Sequence, residues 1–321
     1  MYIYELFKNK IDNLKQKKIQ NKLKTVEIYD IETLSYDLRD IQGVENAFQN
    51  DCYGVASNLK AYAGVEKERV FNFIIEHGIY MLKGYVYEID IIHHTPIVTV
   101  GNFRKKYLEE VWKKEVYAIG PYIAYAKGYY SEERVLLEKS HNGKTLLVFP
   151  PHSTLSEEID YERRDFINEI ERLRKGFDTV LVCMYYVDVQ KGFHDIYKKK
   201  GYKVVCAGHG SDELFLNRLR TIIELSDAVL MNVVMPALAY AVYLKKPCYV
   251  YSQKLDYRRS AGTFERYIEK IPEWYELEEM FSDDRFILTK EQEELCENVY
   301  SFKEVKSREE LKEIIMKYSK V

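Results

Sequence analysis

The sequence predicts an α/β fold of two Rossmann-like, doubly wound halves followed by a helical C-terminal tail. Three observations predict it. Strand-like and helix-like segments alternate along most of the 321 residues, as βαβ units require. Five short segments in the second half are almost continuously apolar, as strands buried on both faces of a parallel sheet are. The segments between them carry apolar residues at helical spacing, as do Leu214, Leu216, Leu219, Ile222 and Ile223.

The first domain is expected over residues 1–135. Its opening stretch, "MYIYELFKNKIDNLKQKKIQNKLK", holds seven lysines against Glu5 and Asp12, with Ile3, Phe7, Ile11 and Leu14 at helical spacing. Such a basic amphipathic helix can lie on an anionic membrane surface; a helix packed on its own domain with a solvated lysine face explains the same pattern. "TVEIYDI" then reads as a strand and "GVENAFQNDCYGVASNLKAYAG" as a helix ending in glycine. "RVFNFIIEHG" reads as a buried strand and loop, and "HTPIVTVG" as another strand. "NFRKKYLEEVWKK" is expected as a helix and "EVYAIGPYIAYA" as a short strand with a Gly-Pro break.

The polar, turn-rich "AKGYYSEERVLLEKSHNGK" is the expected interdomain linker. The second domain follows over residues 143–255. Its strands are "TLLVFPP", "DTVLVCMYY", "YKVVCAGHG", "DAVLMN" and "PCYVYS". Helices around "DYERRDFINEIERLRKGF", "DIYKKKG", "ELFLNRLRTIIELS" and "MPALAYAVYLKK" separate them. Residues 256–321 are expected to form a helical tail packing back on both domains.

Bulk properties narrow the function. Hydrophobic residues make up 46% and charged ones 31%, the balance of a soluble globular chain. A net charge of −3 argues against a dedicated nucleic-acid binder, which carries a basic excess. No apolar run reaches the ~20 residues of a membrane span, and the opening residues do not read as a signal peptide's apolar core. The five cysteines are odd in number and widely spaced, which points to reduced thiols in a cytoplasmic protein and to neither a zinc site nor a disulfide framework. The expected location is cytoplasmic, with peripheral membrane contact through residues 1–24 as the variant the basic helix allows.

The polar residues worth weighing fall at strand ends, where open α/β sheets bind ligands. Glu76 and His77 precede Gly78; His77 in that loop can take a hydroxyl proton at neutral pH, with Glu76 orienting the ring or serving as the base itself. A loop histidine capping a carbonyl is the plainer account. Pro150 and Pro151 stiffen the exit from the first strand of the second half. His152, Ser153 and Thr154 follow them, before what reads as a helix start, a favourable place for a phosphate. A cap formed by Thr154 or Ser156 explains the hydroxyls equally well. Gly208, His209, Gly210 and Ser211 allow close backbone approach to a nucleotide's base or ribose, as a plain turn also would. Asn232 precedes a small-residue helix whose N-terminus can face a diphosphate. Lys245 and Lys246, at the far end of that helix, read as structural.

Several chemistries lack their motifs. There is no P-loop, no G-x-G-x-x-G after a strand and no G-x-S-x-G elbow. The His93-His94 pair has no acidic or cysteine partner at metal-ligand spacing and reads as structural.

Taken in order, "FIIEHGIY", "TPIVTVGNFRKKYLEE", "AIGPYIAY", "LLVFPPHST" and the run from "CAGHGSDELFLNRL" to "LKKPCYV" resemble GT-B-fold glycosyltransferases of bacterial capsule and lipopolysaccharide clusters. The C-terminal run also loosely resembles polysialyltransferases and glycerophosphotransferases that use cytidine-linked donors. The likeness covers roughly residues 70 to 252 and is specific at "EHG" and the C-terminal run. It implies transfer of a sugar from a nucleotide donor to a glycan or glycolipid hydroxyl, with the first domain on the acceptor side. It makes His77 the base with Glu76 as its alternative, brings His152, Ser153 and Thr154 to the donor phosphate, and sets Asn232 near the diphosphate helix. "VVMP" departs from the Ser/Thr and Gly that many relatives carry after the asparagine, which puts phosphate contact at that helix in question. No D-x-D motif is present, and no metal or other cofactor is expected, since GT-B enzymes use side chains and helix dipoles on the leaving phosphate. Two other readings stand beside it: a sugar-nucleotide 2-epimerase or hydrolase of similar fold, and a non-catalytic glycan-assembly partner.

Overall fold

A computed structural model describes residues 18–36, 50–76, 78–79, 95–155, 157–259 and 270–320. Most of the basic N-terminal stretch, His77, the His93-His94 pair and Ser156 lie outside these residues. The chain is α/β with parallel sheets.

In the first half, residues 18–23 are helical (α1), followed by α2 (Ile31–Leu34), α3 (Val55–Ala63), β1 (Val70–Phe71), β2 (Ile74–Ile75), β3 (Ile97–Thr99), α4 (Asn102–Val111), β4 (Val116–Ala118) and α5 (Glu132–Asn142). Strands β2, β3 and β4 form a parallel sheet in that order. The Asn50 side chain supports β2 as a strand would: Nδ2 donates to the Phe73 carbonyl at 2.7 Å, and Oδ1 accepts from the Ile75 N–H at 2.7 Å. That leaves fewer bare ladder groups at the edge.

The second half contains β5 (Thr145–Phe149), β6 (Glu157–Asp160), α6 (Arg163–Leu173), β7 (Thr179–Cys183), α7 (Tyr186–Gln190), α8 (Asp195–Lys199), β8 (Lys203–Val205), α9 (Phe215–Glu224), β9 (Ala228–Met231), α10 (Pro236–Tyr243), β10 (Cys248–Val250) and β11 (Asp256–Arg259). Five of these strands form one parallel sheet in the order β10-β9-β5-β7-β8, the doubly wound order in which chain direction across the sheet reverses beside the first strand. The five apolar segments of the sequence are those five strands. Their side chains divide with period two, as the pleat dictates. Leu147, Leu181, Val229 and Val250 share one core with α9 and α10. Leu146, Val148, Val182 and Leu230 share the other with Phe166 and Ile170 of α6.

The tail adds α11 (Pro272–Met280), α12 (Lys290–Tyr300), α13 (Arg308–Lys317) and β12 (Ser319–Lys320). Helix α12 packs on α4 of the first half and on α10 of the second, and α13 packs on α3. Strand β12 pairs antiparallel with β1, Phe71 opposite Ser319. One apolar cluster runs through both halves and the tail, including Val98, Val229 and Ile315.

Three local readings of the sequence change. "TVEIYDI" is no strand: Asp30 Oδ1 accepts from the Thr33 N–H at 3.1 Å and caps a turn of helix instead. Leu23, Val26, Ile31 and Leu34 then enter the core of the second half, while Ile28 lies in the cluster that includes the first half and Glu27 accepts from Tyr130 and Arg134. The expected linker is largely α5, because Ser131 Oγ accepts from the Arg134 N–H and caps it. The tail begins as a strand, β11, which pairs antiparallel with β6.

Candidate functional site

The carboxyl ends of the five parallel strands gather most of the residues singled out in the sequence. After β5, Pro150 and Pro151 have no N–H to continue the ladder. The His152 ring lies 4.8 Å from the Tyr185 ring, which follows β7. Burial lowers the His152 pKa from its usual 6.5, so the neutral imidazole is favoured.

Ser153 and Thr154 are not at a helix N-terminus, because β6 follows them. The Ser153 N–H donates to both carboxylate oxygens of Asp188, at 3.0 and 3.3 Å, and its Oγ accepts from the Ile159 N–H at 3.2 Å. The Thr154 N–H donates to the Glu157 carbonyl at 2.7 Å, while its Oγ1 accepts from the Glu157 N–H at 3.1 Å. Both hydroxyl residues therefore close the loop into β6. The physical reason for the change is local: a hydroxyl that turns the chain into an antiparallel ribbon uses the groups a helix start would offer to phosphate. Asp188, at 3% exposure, anchors that loop. Burial raises its pKa against the opposing effect of the Ser153 hydrogen bonds.

Glycines shape the loop after β8. Gly208 has φ +111°, and a Cβ there would meet Arg218 Nη1 at 3.1 Å and Asp212 Oδ2 at 3.2 Å. Arg218 is fully buried, donating through Nη1 to Asp212 Oδ2 at 2.7 Å and through Nη2 to the Leu23 carbonyl at 2.5 Å. It thus ties the N-terminal segment to the loop. The His209 ring lies 4.0 Å from that of Tyr186, and its Nδ1 accepts from the Ser211 N–H at 2.9 Å. That hydrogen bond assigns the neutral ring's proton to Nε2. Ser211 is otherwise exposed. The Gly210 carbonyl accepts from the Tyr53 N–H at 2.6 Å, and the Tyr185 hydroxyl lies 3.0 Å from where a Gly210 Cβ would stand. Tyr185 therefore joins the His152 and Gly210 loops.

No protein-family model matches the chain, and no curated protein matches it. The geometry of its own residues therefore carries the functional argument.

Asn232 follows β9, beside the end of β5, and is 0% exposed. Its Nδ2 donates to Gln253 Oε1 at 3.0 Å. That bond uses one of the two Nδ2 protons.

Glu76 follows β2, in the other sheet. Arg104 donates to its Oε1 from Nε at 2.8 Å and Nη2 at 2.5 Å, and Thr99 Oγ1 donates to Oε2 at 2.8 Å. Both oxygens are occupied, and both members of the ion pair are 1% exposed. The sequence reading made Glu76 an orienter of His77 or the base itself; in the structure both of its oxygens accept hydrogen bonds from within the fold.

The first half reaches the carboxyl edge through Tyr53, a residue no sequence signal marks. Its backbone is left-handed at φ +60°, uncommon for a bulky side chain. Its ring lies 4.8 Å from that of Phe215 and 6.4 Å from that of Tyr185. Asn58 and Asn217 exchange side-chain amide hydrogen bonds at 3.1 and 3.0 Å beside it. Tyr185 and Asp188 were likewise invisible in the sequence, because their roles depend on which loops the strand order makes neighbours. Lys246 Nζ donates to the Glu224 and Ser226 carbonyls, at and just beyond the end of α9.

A cavity of about 330 Å³ lies at the opposite end of the sheet, beside Lys144 before β5 and Asp227 before β9. None of the residues selected from the sequence lines it. Among the described residues, no helix is long and apolar enough to cross a membrane.

Proposed function

We propose that the chain is a glycosyltransferase moving a sugar, or a related group, from a nucleotide-activated donor to a hydroxyl of a bacterial surface glycan. Its two halves would stand in a GT-B-like arrangement. The observation that carries this reading is the β10-β9-β5-β7-β8 order, which reverses between the two strands, β5 and β9, that precede His152 and Asn232. Such a reversal opens a crevice where mononucleotides bind. Fold alone does not assign function; the support specific to this chain is the neutral His152 beside Tyr185 and the glycine loop at Gly208 and Gly210. His77 is the proposed acceptor base, and His152 with the 208–211 backbone the proposed donor contacts.

A thermal-shift series with the mono- and diphosphates of cytidine, uridine and guanosine tests the reading, on wild type and His152→Ala. One nucleotide raises the melting temperature of the wild type by mass action, and His152→Ala blunts the rise. If none shifts the wild type, the donor-site reading fails.

The engagement of Ser153, Thr154 and Glu76 in internal bonds favours a second reading, a non-catalytic glycan-assembly partner with a degenerate donor site. Donor hydrolysis in the absence of acceptor separates the two.

A further inference from the structure

The hydrogen bonds around Asn232 specify what a ligand must present at the crevice between β5 and β9; the inference rests on the nucleotide-donor reading above. Gln253 Nε2 donates to the Glu162 carbonyl at 3.1 Å. A carbonyl only accepts, so the Gln253 amide must turn Oε1 toward Asn232. Asn232 therefore presents Nδ2 to that oxygen, at 3.0 Å, and its own Oδ1 is held on the other side. No donor among the described residues reaches Asn232 Oδ1, although the residue is 0% exposed.

The neighbouring strand end accounts for this. Phe149 of β5 pairs in register with Met231 of β9, so Pro150 and Asn232 come next on the two chains. Pro150 and Pro151 carry no backbone N–H. The paired prolines thus remove two main-chain donors from the edge of the crevice where a buried acceptor waits. Leaving such an acceptor unpaired is costly, and buried polar groups of native proteins find partners.

We propose that Asn232 Oδ1 accepts a hydrogen bond from a hydroxyl of the nucleotide-sugar donor, on its ribose or its transferred sugar, and does not contact phosphate. A phosphate oxygen is an anionic acceptor and has no proton to give an amide oxygen, whereas a hydroxyl donates there and accepts elsewhere. This gives Asn232 Oδ1 a hydroxyl as its partner and gives the proline pair a role: it keeps the strand end from satisfying that oxygen.

The test is titration calorimetry on the wild type with uridine, cytidine and guanosine diphosphates, their 2′-deoxy and 3′-deoxy counterparts, and the matching sugar nucleotides with and without single sugar hydroxyls. Removing the contacted hydroxyl should weaken wild-type binding by about tenfold or more, because the acceptor built to receive it is left bare. Asn232→Ala should bind the intact and deoxy forms equally. A loss confined to the ribose series assigns the ribose, and one confined to the sugar series assigns the transferred sugar. If a nucleotide binds but every deoxy analogue binds as tightly as its parent, the inference is overturned and the donor reading stands. If no nucleotide or sugar nucleotide binds the wild type, both fall. The wild-type comparison needs no variant, so a misfolded Asn232→Ala leaves it decisive.

Discussion

Arg104 donates both Nε and Nη2 to one oxygen of Glu76, and each residue is 1% exposed. Removing one member of such a pair leaves a buried charge without its counter-ion. Glu76→Ala should lower unfolding free energy by about 3–5 kcal/mol, measured by urea denaturation. Arg104→Ala should cost a comparable amount, and the double variant should cost less than the two single losses added together. Additive losses, or a Glu76→Ala loss below about 1 kcal/mol, would show that the pair does not clamp the end of β2.

His152 makes stability depend on pH. Burial lowers its folded-state pKa below 6.5, so between those two values the unfolded chain binds more protons than the folded one. Stability therefore rises with pH across that window, and is lost as pH falls through about 6.5 toward the folded value. Asp188 slopes the other way, because burial raises its folded-state pKa, but it is present in both proteins compared. Between about pH 7 and pH 5, where histidine titrates, the wild-type melting temperature should fall more steeply than that of His152→Gln. Parallel profiles would rule out a half-buried imidazole held neutral by desolvation.

Gly54 marks where the two halves press together. It has φ +69°, and a Cβ would stand 2.2 Å from the Glu213 carbonyl oxygen, an obstacle made of backbone. Gly201 has a similar φ of +77° with nothing within 4 Å among the described residues. Gly201→Ala should therefore cost about 1 kcal/mol, from backbone strain alone. Gly54→Ala adds a collision and should cost about 3 kcal/mol in total, read from chemical denaturation. Equal costs would mean that the Cys52–Gly54 turn does not bear against the loop after β8.

The five strands of the second sheet were legible because burial on both faces makes each a continuous apolar run, as in "TLLVF" and "AVLM". "TVEIYDI" alternates apolar and polar residues as a half-buried strand would without being a strand, because a single cap at Asp30 and the open face of another half decide its conformation. Periodicity records that side chains are buried but not against what. The loop at His152–Thr154 shows the same limit: hydroxyls before an acidic stretch fit a helix start or a ribbon turn, and the pairing of β6 with β11 some 100 residues on selects the turn.

The sequence by itself determined the α/β class, the positions of the parallel strands and the candidate residues at their ends, since these follow from local burial pattern and turn chemistry. Only the tertiary structure decided which of those residues are engaged: Glu76 by Arg104, Ser153 by Asp188, and Asn232 by Gln253 through Nδ2 alone. Hydrogen-bond partners are set by which strand ends become neighbours, and that order arises from packing over the whole chain.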